Sequence, residues 1–115
     1  MPDLTLLRQR LRDFAAARDW DKFHSPKNLA SALSVEVAEL LEPFQWLTEE
    51  QSRTLTELQR KAVREEIGDV LIYLVRLADK LDIDPIDAAA DKLLQNELKY
   101  PADKVRGSAR KYTRD

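Results

Sequence analysis

Cysteine is absent from this 115-residue chain, and there are only one histidine, His24, and two glycines. Without thiols there is neither a disulfide nor a thiolate metal site, and a reducing cytoplasm is the expected home. A single histidine also argues against zinc, which takes nitrogen or sulfur ligands. It argues against a di-iron carboxylate bundle too, since those draw Glu-x-x-His from two helices. Residues 1–12 carry charges every few positions and no apolar h-region, so no secretory signal is expected. No run of about 18 apolar residues occurs, which excludes a membrane-spanning helix.

What is abundant is Leu, Ala, Glu, Lys, Arg and Gln, a composition that favours helix over strand throughout. The net charge of −2 is unevenly spread. From Lys99 onward six basic residues (Lys99, Lys104, Arg106, Arg110, Lys111, Arg114) face two acidic ones (Asp103, Asp115), a local +4, which leaves −6 for the first 98. Such a basic tail fits a polyanion, although solvated terminal charge is common without any ligand.

The apolar periodicity predicts four helices. Leu4, Leu7, Leu11 and Phe14 draw one stripe on a helix over residues 3–19. Ser25-Pro26 opens a second helix, the serine as N-cap and the proline at the first helical position, where no hydrogen bond is lost. Leu29, Leu33, Val37, Leu40, Leu41 and Phe44 continue its stripe until Pro43, whose ring predicts a kink or an end. A polar connector over residues 48–56 leads to a third helix ending near residue 81. Its apolar residues cover more than one face, which suggests burial against further copies of the chain. Asp84-Pro85 starts a fourth helix, with Ile86, Ala89, Ala90, Leu93, Leu94 and Leu98 facing inward, and Tyr100-Pro101 stops it. The remainder is expected to be an extended tail. The domain is drawn over residues 1–103 and the basic tail over 104–115.

Two spacings carry chemistry. Glu36 and Glu39 stand three apart on the second helix, and Glu66 and Asp69 three apart on the third, so each pair shares a helix face. Packed against each other, the helices bring four carboxylates together, and like charges so placed need a counter-charge. No Lys or Arg is interposed on those faces. A hard divalent cation fits: Mg²⁺, with Mn²⁺ as a substitute, takes oxygen ligands at roughly 2.0–2.1 Å. The bland reading is that exposed helices are full of glutamate, and Glu57, Glu65 and Glu97 are read so. Glu36 between Val35 and Val37, and Asp69 between Gly68 and Val70, are charges in core-like surroundings, which are rarely left unpaired.

The second constellation is aromatic. Trp20, Phe23 and His24 precede the second helix, Phe44 and Trp46 follow it, and Tyr100 follows the fourth. Core packing accounts for Phe44. Trp20 and Trp46 lie in polar, helix-breaking contexts, where a flat ring can wall a pocket for a base. Asn96 both donates and accepts and could read a base edge, or simply cap its helix.

These residues together resemble the all-α nucleotide pyrophosphohydrolases of the MazG-like superfamily, in particular its small dCTP-pyrophosphatase-like branch. The matching stretches are residues 18–29, residues 35–46 with ExxE and Phe44-Gln45-Trp46, residues 65–74 with ExxD, residues 96–101, and Arg106-Gly107-Ser108-Ala109. The resemblance implies hydrolysis of a (deoxy)nucleoside triphosphate between the α and β phosphates, dCTP or a modified nucleotide among the candidates. It implies a four-helix protomer in a homo-oligomer, tetramer ahead of dimer, whose pocket a neighbouring chain completes. By position Glu36, Glu39, Glu66 and Asp69 match the metal ligands, and Trp20, Trp46, Tyr73, Asn96 and Tyr100 match pocket residues. His24 and Lys99 join the substrate-binding set, and Glu36 or Glu39 takes the proton from the attacking water. No nucleic-acid polymer and no membrane are expected as partners. Leu11 stands where relatives that prefer deoxycytidine nucleotides carry a histidine, and Pro43 replaces an ordinary helical residue. The competing reading is a non-catalytic helical oligomer that binds nucleotide or metal as a sensor or scaffold.

Overall fold

The structure, a computed structural model, describes residues 3–108, which contain six helices and no strand. Helix α1 (Leu4–Ala17) begins where the Asp3 carboxylate accepts from the Leu6 N–H at 2.9 Å. It ends as Asp19 turns into the left-handed region at φ 53°, which lets the Trp20 N–H reach back to the Ala15 carbonyl at 2.9 Å. A single 3-10 turn, Asp21–Phe23, leads to α2 (Pro26–Leu41). Ser25 Oγ accepts from the Asn28 N–H at 3.2 Å, with Pro26 in the first turn, as expected. The helix stops at Leu41, two residues before Pro43, so the proline marks an end and not a kink.

The connector after α2 is not wholly irregular. It holds a short helix, α3 (Glu49–Arg53), closed at its start by a reciprocal capping box between Thr48 and Gln51. The same device, Thr56 with Gln59, opens the long α4 (Glu57–Lys80). Asp84 caps α5 (Pro85–Lys99) by accepting from the Ile86 and Asp87 N–H groups. The expected extended tail also needs correction, since Ala102–Val105 form a further helical turn, α6, which runs across the boundary drawn at residue 103. Residues 109–115, with Arg110, Lys111 and Arg114 of the basic tail, lie outside the described residues.

The chain forms two compact units, Met1–Asp82 and Ile83–Asp115. In the first, α2 lies along α4 as the principal helix pair, and α1 also packs on α4. Ala15 from α1, Leu29 from α2, and Val75 and Ala78 from α4 are its buried apolar residues. On α4, Ile67, Leu71, Ile72 and Leu74 remain exposed. In the second unit the apolar face of α5 was expected to turn inward, but Ile86, Leu93, Leu94 and Leu98 are exposed. Periodicity identifies a helix's apolar face; it does not say what covers it. Among the described residues no helix is long and apolar enough to cross a membrane.

Candidate active site

The pairing of α2 with α4 brings the carboxylates together. Glu36 and Glu39, three apart on α2, and Glu66 on α4 each place a carboxylate oxygen so that all three lie within 4.8 Å of one another. All three side chains are half-buried, and Oε2 of Glu36 and Oε2 of Glu66 are buried without a hydrogen-bond partner. Asp69, one turn along α4 from Glu66, is exposed and outside that trio, but its charge still acts on Glu36 and Glu66.

The electrostatics follow from this crowding. Desolvation, and then contact with Glu66, raises Glu36 above the ordinary carboxylate range. Desolvation is also the first cause for Glu66, whereas Glu39 is raised chiefly by its hydrogen bond to Glu36 and by that group's charge. Carboxylates can hydrogen-bond one another only by sharing a proton, so the trio retains protons or takes up a cation. The donor set is all hard oxygen, and two of its buried oxygens have no partner. It fits Mg²⁺ or Mn²⁺, with Glu36, Glu39 and Glu66 as the inner group and Asp69 beside them.

Farther along α4 lies a cavity of about 120 Å³, walled by Trp20, His24 and Tyr73 with Leu11, Phe14 and Arg76. Tyr73 follows Asp69 by four residues, one helical turn or about 6 Å of rise, so cavity and carboxylates are neighbours on one helix. Trp20 stands edge-on to Phe14, ring centroids 5.7 Å apart at 71°.

Residues 31–114 match the model of the MazG-like family. This chain belongs to the MazG-like family. It is 46 % identical to dCTP pyrophosphatase 1 of Mus musculus over 114 residues, 97 % of this chain and 67 % of that protein. To dCTP pyrophosphatase 1 of Homo sapiens it is 45 % identical, again over 97 % of this chain and 67 % of the relative. A crystal structure of a pyrophosphatase from Archaeoglobus fulgidus superposes with a TM-score of 0.77 at 49 % identity, over 81 % of this chain and 87 % of that one. The all-α MazG-like fold expected from the resemblance is thus the fold observed.

Within this MazG-like chain the sequence-derived residues fall into three groups. Glu36, Glu39 and Glu66 converge, with Asp69 alongside, and Trp20, His24 and Tyr73 share the cavity. Trp46, in the loop after α2, is 87 % exposed and does not line that cavity. Asn96, Lys99 and Tyr100 belong to the second unit. There the Asn96 carbonyl accepts from the Tyr100 N–H at 2.8 Å, Lys99 is exposed, and Tyr100 joins Arg106 and Val105 around an open groove.

Sequence reasoning missed Arg76. It is 4 % exposed, and its Nη2 donates to Asp21 Oδ1 at 2.9 Å and lies 3.2 Å from His24 Nδ1. Lys80 also binds Asp21, while Asp79 binds Arg12 and lies 3.8 Å from Arg76 Nη1. This ion-pair chain fixes the turn that carries Trp20 and His24 to α4. A charge between Val75 and Leu77 is the signal that could have found it, by the criterion that singled out Glu36; at Asp69, which is exposed, the same criterion overstated the burial.

Proposed function

We propose that this chain hydrolyses a (deoxy)nucleoside triphosphate, with dCTP or a modified nucleotide among the candidates, at the α–β bond, releasing the monophosphate and pyrophosphate as part of nucleotide-pool house-cleaning in the cytoplasm. The reaction class rests on membership of the MazG-like family and on dCTP pyrophosphatase relatives that match 97 % of the chain; it is a nucleoside triphosphate pyrophosphohydrolase.

The observation that carries the metal-dependent form of this reading is the pair of buried, unpartnered oxygens on Glu36 and Glu66 within the carboxylate trio. Glu36, Glu39, Glu66 and Asp69 would hold Mg²⁺, or Mn²⁺ in its place. A divalent cation held there would supply charge neutralisation for the triphosphate and a lowered pKa for a water nucleophile. Glu36 or Glu39 would take the proton from the attacking water. Trp20 and Tyr73 hold the base one turn along α4, which sets the spacing between base and phosphates.

Trp46, Asn96, Lys99 and Tyr100 are assigned to the remainder of the substrate site, with Lys99 toward the phosphates, in a homo-oligomer whose neighbouring chain completes the pocket. The exposed apolar residues of α4 and α5 favour such an assembly, a tetramer ahead of a dimer.

The test is pyrophosphate release from a panel of deoxynucleotides with Mg²⁺, and again in EDTA. Turnover with Mg²⁺ that EDTA abolishes and Mn²⁺ restores is expected. Full activity in chelator overturns the metal reading. Binding without turnover of any nucleotide identifies a sensor or scaffold instead.

A further inference from the structure

His24 is the chain's one histidine, and its ring is half-buried in the wall of the cavity beside α4. A neutral imidazole has one donor and one acceptor nitrogen, and the partner of either nitrogen decides which is which. Here the partner is a guanidinium, which has donors and no acceptor. Arg76 Nη2 lies 3.2 Å from His24 Nδ1, a contact that makes a hydrogen bond only if Nδ1 offers a lone pair. The ring proton must then sit on Nε2.

Arg76 is well placed to impose this state. Its side chain is 5 % exposed and cannot leave for water, and the same Nη2 is anchored to Asp21 Oδ1 at 2.9 Å. Protonating Nδ1 would set an N–H against an N–H and a cation against a cation. The charged and titratable groups that face the ring are Arg76, Asp21 and Lys80. Desolvation, followed by the Arg76 charge, depresses the imidazole's proton affinity, and Asp21 opposes this only in part.

The cavity adds what the donor meets. At about 120 Å³ it is of the scale of the roughly 150 Å³ engineered cavity that accepts benzene, which is room for one six-membered ring. Other polar groups on the wall are not switchable in this way: the Trp20 indole only donates, and the Tyr73 hydroxyl rotates to suit its partner. His24 Nε2 has no protein hydrogen-bond partner among the described residues.

We propose that Arg76 is a positioning residue that locks His24 in its Nε2–H tautomer, so that His24 presents a fixed donor to an acceptor atom of a pyrimidine base. On cytosine those acceptors are the ring N3 and the O2 carbonyl. The assignment of a base to this cavity rests on the nucleotide-hydrolase reading above; the tautomer lock does not.

Because the chain has a single histidine, ¹⁵N-histidine labelling yields one imidazole, and its two nitrogen shifts report the tautomer directly in substrate-free protein. The expected spectrum at neutral pH has an unprotonated Nδ1 and a protonated Nε2. An Nδ1–H tautomer, or an imidazolium at pH 7, overturns the lock. Arg76→Met should give averaged tautomers and a higher imidazole titration midpoint, and Arg76→Gln, which keeps an N–H donor, should partly restore the wild-type spectrum. A spectrum unchanged by Arg76→Met also overturns it. If Arg76→Met does not fold, the wild-type spectrum and Arg76→Gln still decide.

For the base, loss of an oriented donor predicts KM for dCTP up about three- to tenfold in Arg76→Met, with kcat close to wild type. An unchanged KM alongside altered tautomers removes His24 from base recognition. No turnover of any nucleotide by the wild-type protein would fell the functional reading, and the base assignment with it, while the imidazole spectrum would still decide the lock.

Discussion

Replacing Trp46 by alanine separates a substrate wall from a packing residue. With 87 % of Trp46 exposed, about 13 % of its area, the complement, is buried within the chain. Buried aromatics contribute roughly 150–250 Å², so that fraction is about 20–33 Å². At about 25 cal/mol per Å² its removal costs about 0.5–0.8 kcal/mol of stability, or a fall in Tm of about 2–6 °C for a small domain. If the ring stacks on a base, truncation removes about 1–3 kcal/mol of binding, a factor of roughly 5–150 in affinity. Felt equally in ground and transition states, that loss appears in KM and spares kcat. The assay pairs pyrophosphate release over a dCTP concentration series with a thermal melt followed by circular dichroism. A Tm lowered by well over 10 °C with KM unaltered would place Trp46 in a buried interface and refute the stacking argument.

Asp69→Asn should abolish turnover and leave the melt of the metal-free protein unchanged or slightly raised, because it removes one of several like charges; near-normal kcat, or failure to fold, would count against it. The metal response should depend on pH with a definite sign. Glu36, Glu39 and Glu66 have proton affinities raised by folding, so their contribution to stability is present below the ordinary carboxylate pKa and lost as pH rises through the raised values. Protons and Mg²⁺ compete for the same oxygens, and the gain in Tm on adding Mg²⁺ should therefore be larger at pH 7 than at pH 5. Taking the difference with and without Mg²⁺ at each pH cancels the opposite contributions of Asp21, Asp79 and His24, whose pKa values are lowered. An equal gain at both pH values contradicts a carboxylate metal site. Light scattering at micromolar concentration should report a multiple of 13.3 kDa, four protomers ahead of two, and a monomer would refute the assembly.

Local signals in the sequence are legible where one residue acts on its own backbone. Ser25-Pro26 starts α2, Asp84-Pro85 starts α5, and Pro43 follows the end of α2, each through a capping side chain or a missing N–H. The same logic would have found α3, since Thr48-Glu49-Glu50-Gln51 repeats the capping pattern of Thr56-Glu57-Leu58-Gln59; its shortness hid it in a polar connector. The convergence of Glu36, Glu39 and Glu66 was legible because i and i+3 spacing fixes a face and the apolar stripes choose which faces meet. Arg76 with Asp21 was not, because 55 residues separate them and no periodicity links a buried guanidinium to a distant turn. The exposed face of α5 shows the converse limit: an amphipathic pattern says that a surface is apolar, and its cover is a matter of tertiary or quaternary structure.

The ion-pair chain from Arg12 through Asp79, Arg76 and Asp21 to Lys80 also bears on how this surface can vary among relatives. Two acidic residues serve three basic ones, and each acid is shared. The effect of replacing any one member therefore depends on which others are present, so single and double replacements will not add. Losing Asp21 alone leaves the buried Arg76 with only Asp79, 3.8 Å away, whereas losing Asp21 and Arg76 together removes the buried charge as well. These five positions are thus energetically coupled: a replacement that a compensating partner makes harmless is expected to be damaging when it is made alone.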